Sequence, residues 1–542
     1  MGGASCGGDV PGCGSGVGAR TGRLRLVGLR GNWRLVEAAC RPLSRWLSCR
    51  SILYIRFNAS AVGLLLGPIL ALAVALTPFP GLAPQAHALA AILCLVVVFW
   101  VTEALPLPVT ALLGVAVAVL LGVADSSVAL SSLGSEVVFL FIGSFMLAQA
   151  MSVHGLDRRL AYALLSLPGA QRSPLLMLLL LGVTAAGLSM WVSNTAATAM
   201  LLPIALAIGR HSLGEQSEPA AARYTLALLF TLAYSASIGG LATPVGTPPN
   251  LIGIGLIHTI LGQDITFFQW MQMALPLTLL MFVGAFGLLV CLYRPPLWQA
   301  ARQEGYFESQ RAALGPVTAG ERNVAVAFGV AVVLWLLPGA AALALGQDSA
   351  FYQELQQRLP EGVVALAAAL LLFLLPISWK PRRATLTWEQ AVVIDWGTVL
   401  LFAGGIALGR MMLDTSLAGS LGTALVAGTG LTGESGIIAG AVGGAVLVSE
   451  AASNTASANI VIPVMTSIAK SAGINELLPA LGATLGASFG FMLPVSTPPN
   501  ALIYGTRQVP IWHMVRNGVL LDLAGGVILW AYLVYLAPAW AR

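Results

Sequence analysis

Hydrophobic positions in this chain come in long unbroken runs, not in the two-residue alternation of a half-buried strand. An α-helix needs about 20 apolar residues to cross a bilayer. Runs of that kind, or shorter halves of them, begin near residue 60 and recur to near 538. The short ones come in pairs, around 191–195, 243–249, 450–455 and 494–499. The pattern predicts an all-α polytopic membrane protein with about 11 transmembrane helices. It also predicts two re-entrant hairpins, over 174–209 and 434–470, and two broken helices, over 222–262 and 477–507.

Composition narrows the class. The chain has 542 residues, 57% hydrophobic and 9% charged, with mean hydropathy +0.86. Soluble domains carry about 25% charged residues, so an ordinary soluble enzyme or a nucleic-acid-binding module is excluded. A β-barrel is disfavoured because the apolar residues do not alternate. No GxxxxGK[ST] loop is present, which argues against an ATP-driven machine. Six cysteines are scattered with no zinc-like spacing and imply no disulfide framework.

The net charge of +5 reads as a topology signal. Residues 1–56 hold nine arginines and many glycines, and predict a disordered basic cytoplasmic leader. With the N-terminus in the cytoplasm, 23 of the 27 Lys and Arg residues fall inside. Arg358, Lys470, Arg542 and Arg410 are left outside or near an outer end. The C-terminus is then outside. The expected organisation is a first repeat over 57–294, a cytoplasmic linker over 295–322 and a second repeat over 323–542.

The chain says one thing twice. Phe141-Ile-Gly143 precedes Ser193-Asn194-Thr195, and Phe402-Ala-Gly404 precedes Ser453-Asn454-Thr455, at spacings of 50 and 49 residues. Each triplet is followed by small residues and a proline. Each half then reaches a second motif, TPVGTPPN over 243–250 and LPVSTPPN over 493–500. An odd number of crossings separates the halves, so the repeats are expected to be inverted. That is the plan of many secondary transporters, which bind cargo where interrupted helices meet.

The chemistry follows from the breaks. Backbone groups freed at a helix break find no partner in lipid, so such a tip must be buried in protein or line a wet cavity. The following helix presents free N–H groups and partial positive charge, which suit a carboxylate. The preceding helix presents carbonyls, which suit a hard cation such as Na⁺. Asn supplies donor and acceptor together, and Ser and Thr supply hydroxyls. Two prolines break the neighbouring span, Gly246 permits close approach, and Asn250 is expected to cap the second half-helix. Glu103 reads as a helix-end anchor. Glu450 stands beside the second triplet, where it could tune a cation site. Asp395 and Arg410 read as interfacial, and the five histidines as weak proton-relay candidates.

These residues resemble the divalent anion:sodium symporter family of sodium-coupled dicarboxylate, citrate and sulfate carriers. SMWVSNTAATAMLLPIA, TPVGTPPNLI, SEAASNTASANIVIPV and PVSTPPNALIYG carry the resemblance, which covers roughly 58–540. It implies a homodimer with a scaffold and an elevator-type transport domain in a plasma membrane, expected to be a bacterial inner membrane, with no organic cofactor. It implies that Asn194, Thr195, Asn454 and Thr455 meet the substrate carboxylates, helped by Thr247, Thr497 and Pro498. A first Na⁺ would use Ser189, Ser193, Asn194 and the carbonyl of Gly246. A second would use Ser449, Asn454 and the carbonyls of Ser496 and Pro498. The expected activity is sodium-coupled symport of a C4 dicarboxylate. The same fold carrying sulfate or citrate, exchanging anions, or coupling to protons is the alternative.

Overall fold

Apolar runs close their own backbone hydrogen bonds by coiling, and nearly every predicted run is a helix. The computed structural model describes residues 49–167, 173–211, 218–295, 306–429 and 433–537. Most of the expected leader and residues 296–305 of the expected linker lie outside the described residues. A helix begins at Cys49, before the expected end of the leader. The residues up to Asn58 form one contact unit and Ala59–Arg542 another.

In chain order the helices are α1 (Cys49–Leu76), α2 (Pro84–Thr102), α3 (Leu107–Leu120), α4 (Ser126–Ser131), α5 (Glu136–His154) and α6 (Leu156–Leu165). Next come α7 (Pro174–Ser189), α8 (Asn194–His211), α9 (Glu218–Gly239), α10 (Pro248–Leu261), α11 (Phe267–Tyr293) and α12 (Tyr306–Ala313). The later part holds α13 (Ala319–Leu345), α14 (Ala350–Arg358), α15 (Glu361–Leu374), α16 (Trp388–Ala391), α17 (Trp396–Asp414) and α18 (Leu417–Thr429). It closes with α19 (Glu434–Ala451), α20 (Asn454–Ser471), α21 (Leu477–Gly486), α22 (Pro498–Gly505) and α23 (Ile511–Ala531).

Among the described residues, eight helical stretches are long and apolar enough to cross a membrane, or nine if α14 and α15 make one bent span. The expected eleven counted two broken helices as spans. Their arms α10 and α21 have only 14 and 10 residues and fall short singly. One departure from an all-helical chain is a two-stranded antiparallel ribbon, β1 (Pro376–Trp379) with β2 (Arg382–Ala384). The segment PISWKPRRA is too short and too basic to read as a run.

Polar residues set the helix ends. Thr266 with Gln269 and Thr318 with Glu321 form capping boxes at α11 and α13. Glu103 is the left-handed C-cap of α2, in keeping with a helix-end role. Asp395 caps α17 by accepting from the Thr398 amide at 3.1 Å. Arg410 pairs with Asp414 on the exposed side of the same helix. His154 bonds the Thr385 carbonyl at 2.6 Å, and His258 pairs with Asp264 at 2.6 Å.

Inside lipid, helices associate by close packing of small residues. Gly143 of α5 lies against α15, where an added Cβ would meet the Ala365 backbone carbon at 2.5 Å. Gly239 of α9 lies against α7, with the Ala186 carbonyl oxygen at 2.3 Å from such a Cβ. Helix α9 is buried on every face from Ala227 onward and packs against α7, α8 and α11. A helix buried all round belongs at the centre of its protein, and this one leads into the first proline motif and packs against both arms of the first hairpin and against α22 of the second half.

Replacing Gly143 with leucine forces side-chain atoms into backbone that cannot yield. Overpacking costs about 1–3 kcal/mol, so Gly143→Leu is expected to lower the thermal unfolding midpoint in detergent. Gly287→Ala, with open space around it, is expected to leave that midpoint unchanged.

Candidate binding site at the helix breaks

The two triplets sit where helices stop and restart. Helix α7 ends at Ser189 and α8 begins at Asn194; α19 ends at Ala451 and α20 begins at Asn454. In each break the serine caps the new helix. Ser193 Oγ accepts from the Ala196 amide and Ser453 Oγ from the Ala456 amide, both at 3.2 Å. Three residues separate each cap from the amide it receives, so the same tripeptide makes the same turn twice.

The asparagines turn inward. Asn194 lies with one side-chain amide atom 2.6 Å from Ser189 Oγ, 3.2 Å from the Gly246 carbonyl and 3.3 Å from the Ala236 carbonyl. Three oxygens thus converge on one amide position. With nitrogen there, Asn194 donates to the carbonyls; with oxygen there, the site is a cluster of acceptors. At the second break Ser449 Oγ stands 2.7 Å from Asn454 Oδ1 and 2.9 Å from the Ala487 carbonyl. One hydroxyl proton cannot serve both acceptors fully. Asn454 Nδ2 reaches the Ser488 carbonyl at 3.4 Å.

The proline motifs form the facing loops. Thr247 and Thr497 are the N-caps of α10 and α22, each followed by two prolines in the first turn. Both threonines are buried. Contrary to expectation, Asn250 does not cap its helix, and Asn500 does not cap the matching one. Each stands at the third helical position, and its Nδ2 reaches back across the loop. Asn250 donates to the Gly240 and Thr243 carbonyls at 2.9 and 2.8 Å. Asn500 donates to the Gly490 and Leu493 carbonyls at 2.9 and 3.2 Å. Their Oδ1 atoms are buried without a hydrogen-bond donor among the described residues.

Glycines let these loops touch the triplets. A Cβ on Gly240 would sit 2.4 Å from Asn194 Oδ1, and one on Gly246 would sit 2.5 Å from the Gly240 carbonyl oxygen. A Cβ on Gly490 would meet Ser496 Cβ at 3.1 Å, with Asn454 Oδ1 and Ser449 Oγ both at 3.2 Å. The structure therefore brings Ser189, Asn194 and Gly246 together, and Ser449, Asn454 and Ser496 together. Ser193 spends its hydroxyl on the cap, and Pro498 is exposed at the start of α22. Thr195 is exposed and Thr455 half-buried.

Each hairpin's second arm packs against the half-helix of the opposite half: α8 against α22, and α20 against α10. Tyr234 of α9 donates to the Phe491 carbonyl at 3.3 Å, tying the central helix to the second loop. The pairing is not fully alike. Where the first break has Met190, the second has Glu450, which is buried. Its carboxylate accepts from the Met492 amide at 2.7 Å and from Ser496 Oγ at 2.5 Å.

The family described as "Sodium:sulfate symporter transmembrane region" matches residues 58–540. The sodium-dependent dicarboxylate transporter SdcS of Staphylococcus aureus (strain MRSA252) is 30% identical over 485 residues, covering 88% of this chain and 91% of that protein. Among solved structures, the YdaH transporter of Alcanivorax borkumensis is 16% identical with a TM-score of 0.47, over 90% of this chain and 98% of its own. MtrF of Neisseria gonorrhoeae is 14% identical with a TM-score of 0.49, over 93% and 98%.

Asn500→Ala removes the donor for two loop carbonyls. Stranding buried acceptors costs about 1–3 kcal/mol, against about 1 kcal/mol for a lost cap. Thermal unfolding in detergent should therefore fall further for Asn250→Ala and Asn500→Ala than for Ser193→Ala. The reverse order would mean that the loops are held by something other than these two amides.

Proposed function

The chain belongs to the sodium:sulfate symporter family, and from that premise we propose that it carries a small divalent anion, a C4 dicarboxylate, together with Na⁺. It is an integral membrane protein, and its named relatives are transporters and not enzymes. The dicarboxylate assignment takes its support from the name of the SdcS relative. The family description, which names sulfate, keeps sulfate as the second reading.

The observation that carries the reading is the surplus of oxygen at both breaks. Ser189 Oγ, the Gly246 and Ala236 carbonyls and the Asn194 amide converge on one point. Ser449 Oγ, Asn454 Oδ1 and the Ala487 carbonyl converge on another. Hard cations are held by oxygen alone. Neither motif contains a lysine or arginine, so a bound anion has Na⁺ and helix N-termini to offset its charge.

Sodium and anion are coupled through the asparagines. With a cation present, the amide oxygen of Asn194 faces inward to it. The Nδ2 group then turns toward the N-terminal end of α8, where it can donate to a carboxylate. Asn454 does the same at the start of α20. The hydroxyls of Thr195 and Thr455 add donors, and the free N–H groups of α8 and α20 add partial positive charge. Thr247, Thr497 and Pro498 form the wall behind. Sodium therefore binds first and completes the anion site. The two hairpins and their broken helices then move as a loaded transport domain against a scaffold, in a homodimer, with the N-terminus in the cytoplasm and the C-terminus outside.

In proteoliposomes, succinate uptake is expected with an inward Na⁺ gradient and not with choline in its place. Unlabelled malate and fumarate should compete, and sulfate should compete poorly. Strong competition by sulfate with weak competition by dicarboxylates would move the assignment to the second reading. Asn194→Ala and Asn454→Ala each remove a hydrogen bond to a charged group, worth about 1.5–3 kcal/mol. Half-saturating succinate should rise by about tenfold to a hundredfold in each.

A further inference from the structure

The ribbon β1–β2 has no part in the scheme above. Strands of four and three residues are too short to hold a hairpin in water by themselves, and the fastening lies at the root. Thr385, buried just past β2, donates its amide and its hydroxyl to the Leu375 carbonyl at 2.9 and 2.7 Å. Asn323 of α13 donates to Thr385 Oγ1 at 2.8 Å and to the Pro376 carbonyl at 3.2 Å. His154, at the end of α5, bonds the Thr385 carbonyl.

The tip, in contrast, is bare. Trp379 is 76% exposed, and Lys380, Pro381, Arg382 and Arg383 are exposed beside it. None of the three cationic side chains has an ion-pair or hydrogen-bond partner among the described residues. Trp379 is paired with Arg382 across the ladder. Directly paired residues share a face, so an indole and a guanidinium stand side by side. Trp388, at the start of α16, adds a second exposed ring. From 376 to 394 the single acid is Glu389.

Depth in the bilayer follows from α15. Val363, Leu370 and Leu374 make an exposed apolar face on that helix and mark the hydrocarbon level. The ribbon starts at Pro376, directly after it. Four strand residues reach about 13 Å, and each headgroup layer is about 5–8 Å thick. Even a tilted ribbon therefore keeps its tip at the level of the phosphates.

We propose that the ribbon is a docking element for anionic phospholipid. Lys380, Arg382 and Arg383 take the phosphates, and Trp379 seats its ring between headgroups and upper acyl chains. Indoles favour that zone, and Lys and Arg beside it are drawn to anionic lipid. In the orientation proposed above, this is the cytoplasmic leaflet. Charge alone would serve as a topology signal; a fastened root and a bare indole are not needed for one. The root ties the docked tip to α5 and α13, so bound lipid braces both helices.

Lipid binding is read without sodium or dicarboxylate, so its outcome stands apart from the carrier reading. Full-length protein in neutral detergent is titrated with fluorescent phosphatidylglycerol and with phosphatidylcholine of the same chains. Each basic residue near an anionic surface is worth about fivefold in affinity. The natural protein is expected to half-saturate at least tenfold lower with phosphatidylglycerol. The triple change Lys380→Gln, Arg382→Gln and Arg383→Gln should erase that preference. Arg358→Gln, Arg410→Gln and Lys470→Gln together remove equal charge elsewhere and should leave it intact. Phosphatidylglycerol should raise the thermal unfolding midpoint of the natural protein and of this control, because a ligand of the folded state stabilises it, and not that of the ribbon variant. If the ribbon variant does not fold, Lys380→Gln and Arg382→Gln singly are each expected to lose about fivefold. Equal affinity for the two lipids, or equal loss in both triple variants, overturns the proposal. Competition by soluble glycerol phosphate at the lipid's own concentration also overturns it, in favour of a free phosphate. Unchanged lipid binding with an altered oligomeric mass in the ribbon variant would assign the tip to a second copy of the chain and overturn the lipid.

Discussion

Everything in this protein turns on one cost, that of an unpaired backbone group away from water. A continuous helix avoids the cost by bonding to itself. Four segments here give up that solution, at 190–193, 240–247, 452–453 and 487–497. Each freed carbonyl must then be met by something else. Asn250 and Asn500 meet the loop carbonyls, and Ser193 and Ser453 meet the new helix amides. What these side chains leave unmet is acceptor oxygen, and unmet oxygen is the raw material of a cation site. Binding capacity and the cost of the break are the same quantity seen from two sides.

The glycines decide where that quantity is placed. Gly240 and Gly490 sit against the asparagines of the triplets at distances that leave no room for a side chain. Loop and hairpin tip therefore share one small volume. The difference between the halves lies in what stands next to it. Met190 fills its place with apolar volume, whereas Glu450 brings charge and has Asp522 facing it. Near-identical motifs are thus set in different electrostatic surroundings.

Much of this is legible along the chain. Polar triplets inside apolar runs stand out because lipid tolerates them so poorly, and their recurrence points to Asn194 and Asn454; Ser189 and Ser449 come only with the family resemblance. Asn250 misleads because a helix start viewed locally suggests a cap, while the side chain reaches back seven and ten residues. Asp522 carries no signal. A single acid in the run of α23 means nothing until Glu450, 72 residues earlier, is seen opposite it. The ribbon at 376–384 escapes because strands of four and three residues leave no periodicity. The count of spans shifts because half-helices have no length criterion of their own.

Helix α9 has a consequence of a mechanical kind. It is sunk in protein on all sides from Ala227 onward, its Gly239 is jammed against Ala186 of the first hairpin, and its Tyr234 is latched to Phe491 of the second loop. One stiff rod is thereby fastened to both cradles. On the carrier reading proposed above, neither cradle moves without the other, which favours a single stroke over two independent gates.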